Sequence, residues 1–159
     1  DHWQFELFRA GLMPLIEITD LKTAFLYSGN AKEGSVESDK LKFTISSGKA
    51  KGKYHVVKIS ATIKNMGQLG TNLAKGATLP GNRNDVVWLI GNKGDIDFIE
   101  GKAFKSIGSL GGVLKVAGLK QQASSSEIEW VVAVKDKAEL KIVVSSLKGG
   151  TVMEKITIK

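Results

Sequence analysis

A chain of 159 residues, 42% hydrophobic and 25% charged, is the size of one domain and can bury a substantial core. It has no cysteine, which excludes disulfides, thiolate metal sites and cysteine nucleophiles. No apolar run nears the roughly 18 residues that a membrane-spanning helix needs. The net charge is +7, yet only Arg9 and Arg83 are arginine. The lysines stand singly between apolar residues, as Lys58 and Lys64 do, or cluster in a turn at Lys49, Lys51 and Lys53. That pattern reads as a solvated sheet face protected against edge pairing rather than as a nucleic-acid surface.

Trp3, Phe5, Leu7, Phe8, Leu12 and Met13 crowd the opening of the chain. The spacings Trp3 to Leu7 and Phe8 to Leu12 predict a short N-terminal helix, with Gly11 and Pro14 ending it. Trp3, Phe5 and Leu7 also alternate, so a strand stays open as a reading. Either way these six side chains are the candidate contact with another surface. Residues 1–13 are expected to form a linker helix or the tail of a preceding domain, and residues 14–159 one β-sandwich domain. The chain opens at Asp1 with no initiator Met and no basic segment leading into an apolar core. It therefore reads as a piece of something longer.

From Ile16 the period becomes two. A first strand is expected from Ile16 to about Tyr27, followed by a turn over 29–34. Leu41, Phe43 and Ile45 alternate next, then a turn at 48–53. The clearest strand carries Val57, Ile59, Ala61 and Ile63 on one face and Lys58, Ser60, Thr62 and Lys64 on the other. One dry face and one wet face mark an antiparallel sheet. The Gly- and Asn-rich segment 65–84 is long enough to cross between sheets. Further short strands are expected at 86–90, at Ile96 and Phe98, around Ile107, Leu110, Val113 and Val116, at 128–134, at 140–144 and at 152–158. Eight to ten strands separated by glycine-rich turns, with no helical period after Pro14, predict an all-β, antiparallel β-sandwich of immunoglobulin- or prealbumin-like type.

Reactive constellations are not legible. His2 and His55 are the two histidines, too few for a zinc shell without converging carboxylates. His55 shares the register of Val57 and reads as a half-buried strand-end residue. Asp95, Asp97 and Glu100 alternate with Ile96 and Phe98, as an outward strand face does, rather than forming a calcium loop. Segment 48–53 lacks phosphate-loop spacing, and Ser124, Ser125 and Ser126 have no nearby histidine. Trp88 and Trp130 sit in apolar strands and read as core. No catalytic, cofactor-binding or metal residue is expected.

Several short stretches resemble the C-terminal β-domain attached to bacterial zinc carboxypeptidases of the carboxypeptidase A type. They are Asn65-Met66-Gly67-Gln68-Leu69-Gly70-Thr71, Ile107-Gly108-Ser109-Leu110-Gly111-Gly112, Trp130-Val131-Val132 and Gly150-Thr151-Val152. Gly70 stands where that family has proline. Trp3, Phe5, Phe8 and Arg9 before Leu12, Met13 and Pro14 resemble the aromatic exit helix of the catalytic domain. Phe5-Glu6-Leu7 resembles the stretch around its general base, though Glu6 is expected to be a solvated helix position. The resemblance implies an accessory, structural domain with no cofactor of its own. It implies zinc and peptidase chemistry in an upstream catalytic domain of the same polypeptide, which is the expected partner, and an extracellular or periplasmic location. A carbohydrate- or cell-surface-binding sandwich module is the alternative, and would require an exposed Trp88 or Trp130.

Overall fold

The computed structural model describes residues 2–32, 35–37, 42–44, 52–72, 80–81, 83–115 and 122–158. One helix, α1 (His2–Leu12), precedes β1 (Ile16–Lys32), β2 (Ser35–Glu37), β3 (Lys42–Thr44), β4 (Gly52–Asn65) and β5 (Asp85–Gly91). Then follow β6 (Ile96–Glu100), β7 (Phe104–Gly108), β8 (Ser125–Lys135), β9 (Glu139–Ser146) and β10 (Gly150–Thr157). They form a six-stranded sheet in the order β3-β2-β1-β4-β8-β6 and a four-stranded sheet in the order β10-β9-β5-β7. Each paired strand runs antiparallel to its neighbour. The chain is an antiparallel β-sandwich with a short N-terminal helix.

Period-two patterning builds the core directly. Val57, Ile59, Ala61 and Ile63 of β4 lie beside Ile128, Trp130, Val132 and Val134 of β8. Val87 and Leu89 of β5 and Leu140, Ile142 and Val144 of β9 face them from the other sheet. Side chains of this size each stabilise the fold by about 1.5–3 kcal/mol when fully buried. Strands β4 and β5 lie in different sheets, the crossing between sheets expected after β4. After that the chain changes sheet at each step until β9 and β10, which share one.

Strand β1 departs from expectation. It runs past Tyr27 and Ser28 into Gly29 and Asn30, residues that read as a turn, because β4 pairs with it as far as Ala31 opposite Gly52. Ladder bonds outweigh the weak local preference of Ser, Gly and Asn for turns. Two bulges, between Thr19 and Lys22 and between Phe25 and Tyr27, each insert one extra residue into β1. Asp20 takes a left-handed φ of 51° at the first, a conformation that Asp tolerates better than most residues. Val113 lies in an irregular segment rather than a strand, since 109–115 is bonded to other loops instead of a ladder. Leu41, Ile45, residues 48–51 and Val116 fall outside the described residues.

Candidate functional site

The two ends of the sandwich carry the candidate chemistry. At one end, here the helix pole, α1 runs up to the start of β1. Met13 N donates to Ala10 O (3.2 Å) to close its last turn, and Pro14 prevents continuation. Glu6 and Arg9 pair at 3.3 Å on its surface, and the Arg9 guanidinium lies 5.8 Å from the Phe5 ring centre. No residue of α1 is buried. Trp3 is 65% exposed, and Phe5, Leu7, Phe8 and Met13 are each more than half exposed; Leu12 is half-buried. Glu6, Arg9, Ala10, Leu12, Met13 and Leu69 line an open pocket of about 420 Å³. The helix expectation therefore holds over the strand alternative. Glu6 sits on the solvated surface.

The sandwich continues this apolar surface. Leu15, Met66, Leu69, Val113, Leu114 and Leu147 are exposed at the same pole. What holds them there is a knot around Asn65, which has 0% exposure. Its Oδ1 accepts from Leu15 N (3.0 Å) and Gly67 N (2.9 Å). Its Nδ2 donates to Leu69 O (2.8 Å) and Gly111 O (3.0 Å). Four backbone groups from three stretches of chain thus use the whole hydrogen-bonding capacity of one amide. Neighbouring bonds tighten the knot: Leu69 N to Leu12 O, Val113 N to Gly67 O, Leu114 N to Gln68 O and Thr71 N to Leu110 O. The backbones approach so closely that a Cβ on Gly112 would stand 2.0 Å from Gln68 O, and one on Gly67 would stand 2.2 Å from Met13 O. The stretches 65–71 and 107–112, singled out from sequence, pack against each other here.

At the opposite, histidine pole a second buried polar group appears. His55 opens the inward-facing register of β4 and is 5% exposed, more buried than the half-buried strand end expected of it. Ser28, directly across the ladder on β1, has Oγ 2.7 Å from His55 Nδ1. Asp136, in the turn after β8, has Oδ1 2.9 Å from His55 Nε2. Asp136 is anchored by its own N–H to Lys53 O (3.0 Å). The hydrogen bond from His55 holds the Asp136 carboxyl below the usual aspartate range, helped by the charges of Lys53 and Lys137. The Phe25 ring meets the imidazole edge-on at 5.6 Å. Sequence reading missed this Ser-His-Asp line because its members are 27 and 81 residues apart. The one available signal was a histidine in a core register that needed partners.

The remaining sequence candidates are scattered. Asp95 turns the chain ahead of β6 and lies 3.8 Å from Lys135; Asp97 follows on β6 and Glu100 ends it. Ser124 precedes β8, while Ser125 and Ser126 lie within it. Among the described residues no group of three or more His, Asp or Glu side chains could hold a metal ion. Among them, too, no helix is long and apolar enough to cross a membrane. Trp130 is 1% exposed and bonded through Nε1 to Lys102 O, so it cannot stack on a sugar. Trp88 is half-buried and tilts against Phe104. Burial raises the hydroxyl pKa of Tyr54, and Asp95 and Asp97 raise it further; that hydroxyl is bonded to Gly94 O.

A family described as Domain of unknown function (DUF8731) matches residues 40–157, which takes in β3 to β10. No curated protein matches the chain. A solved structure, an uncharacterized beta-sandwich protein from Clostridium difficile 630, aligns at 15% identity over 91% of this chain and 85% of that one, with a TM-score of 0.29.

Proposed function

The chain belongs to the DUF8731 family of domains of unknown function, and within it we propose an accessory domain that docks on a larger protein through its helix pole. One observation carries this reading: an 11-residue helix with no buried residue displays Trp3, Phe5, Leu7 and Phe8, and its last turn lines a pocket with Leu69 of the knot. Aromatic side chains bury about 150–250 Å² each. The pole as a whole thus offers apolar surface at or above the roughly 300–600 Å² patch that is the largest on an ordinary monomer. Short isolated helices are marginal in water, so packing against a partner would also stabilise α1. The knot fixes the angle at which the helix leaves the sandwich, which suits a rigid docking element.

The occupant we propose is the catalytic domain of the same polypeptide, and the resemblance to carboxypeptidase β-domains names its chemistry as zinc-dependent removal of C-terminal residues. The residues behind that resemblance lie in the knot and the strands, so they speak for the scaffold more than for the partner. Hydrogen exchange separates the two levels. In the isolated chain, amides 3–12 should exchange within seconds. In the complete polypeptide they should be protected at least ~100-fold, as full docking requires. Equal exchange in both sinks the docking reading. Protection in a polypeptide that has no zinc site and no carboxypeptidase activity keeps the docking and removes the peptidase.

A further inference from the structure

We propose that Ser28, His55 and Asp136 form a nucleophilic centre at the histidine pole, able to take an acyl group from a small activated ester. Proton placement carries the inference. An ionised carboxylate only accepts hydrogen bonds, so the 2.9 Å contact from Asp136 Oδ1 requires the proton of a neutral imidazole to sit on Nε2. Nδ1 is then the basic nitrogen, and the 2.7 Å contact has the Ser28 hydroxyl donating to it. A serine whose proton is already aimed at a base, with the base held by a carboxylate, is the arrangement that activates an alcohol for attack. The ring is turned round relative to the serine proteases, where Nε2 faces the serine. Either orientation supplies one basic nitrogen for the hydroxyl and one N–H for the carboxylate.

The surroundings fit the same chemistry. Ser28 is exposed while His55 is buried, so the nucleophile meets solvent and its base does not. Phe25, about half exposed and edge-on to the imidazole, gives an acyl chain an apolar bench. Lys53 and Lys137 put positive charge beside Asp136, which favours its ionised form and so keeps the imidazole proton on Nε2. The open surface selects small, reactive donors over extended peptides. Ser28 Oγ bonds to the ester carbonyl carbon as its proton passes to His55 Nδ1. The ester C–O bond then breaks, and Nδ1 returns that proton to the departing alkoxide, releasing the alcohol. Water attacks the acyl-serine and gives a proton to Nδ1; the Oγ–acyl bond then breaks, Oγ takes that proton back from Nδ1, and the carboxylic acid leaves with Ser28 and His55 restored.

This centre lies at the far end from the docking surface, and its test is independent of it. The protein is incubated with a fluorophosphonate probe and the adduct mapped by peptide mass spectrometry. One adduct is expected, on Ser28, absent in a Ser28→Ala protein whose circular dichroism spectrum matches wild type. Asp136→Asn should label at least tenfold more slowly, with a shifted pH profile of the labelling rate and an unchanged circular dichroism spectrum. Hydrolysis of p-nitrophenyl acetate should fall to the buffer rate in Ser28→Ala. No adduct on Ser28, adducts spread over the exposed serines, or an Asp136→Asn labelling rate equal to wild type would each overturn the proposal.

Discussion

The helix pole and the histidine pole each bury a polar side chain, and they satisfy it in opposite ways. Asn65 spends its amide on four backbone groups. His55 spends its ring on two side chains, one exposed and one partly so. An amide bound to backbone carries no charge and fixes the path of the chain. An imidazole bound to a hydroxyl and a carboxylate can exchange protons and leaves its partners free to be replaced. The first arrangement is scaffolding for a surface, and the second is a set of reactive groups held by scaffolding. A burial pattern alone does not distinguish them; the identity of the partners does.

Mutations should separate the poles in order of severity. Asn65→Ala strands several buried donors and acceptors at once, each costing about 1–3 kcal/mol. A loss of about 3–5 kcal/mol is expected in denaturant unfolding, and a loss under ~1 kcal/mol would show that the knot is not structural. Gly112→Ala forces a Cβ against the Gln68 carbonyl and should cost about 2–3 kcal/mol. Ala at exposed Gly11, where nothing lies within 4 Å, should be neutral or stabilising.

The histidine pole predicts a pH effect instead. The Asp136 carboxyl titrates lower in the folded chain than in the unfolded one because His55 donates to it. Its contribution is therefore complete above the unfolded aspartate value of about 4. It is lost as pH falls through the lower folded value. Thermal melts from pH 7 down to pH 2 should show a steeper acid limb for wild type than for Asp136→Asn; identical limbs would break the contrast. Smallest of all, Trp3→Ser and Phe8→Ser should shift stability of the isolated chain by no more than about 0.5 kcal/mol, since neither side chain is buried.

Sequence patterning reached the scaffold and stopped short of the poles. The alternation of β4 and β8 is visible because one face of each strand meets a continuous core. The far half of β1 was hidden because Ser28, Gly29 and Asn30 carry turn preferences that only β4 overrides. Asn65 stands out in sequence only as the first residue of a stretch with a family resemblance, and its role depends on a carbonyl 46 residues away. The Ser-His-Asp line depends on strand register and on where one turn falls, neither of which has a local signature. Long-range pairing makes such sites, and local composition does not report it.

The repeated passage of the chain between sheets also governs how it must fold. Because β4 to β9 alternate between the two layers, no contiguous stretch of that region contains a complete layer. Nucleation has to join residues distant along the chain before any layer gains its neighbours, and all-β topologies of this kind close in roughly milliseconds to seconds. Neither half of the β-sandwich would be expected to collapse into a native-like unit alone, so removing strands from either side of it should lower the yield of the whole rather than trim a dispensable part.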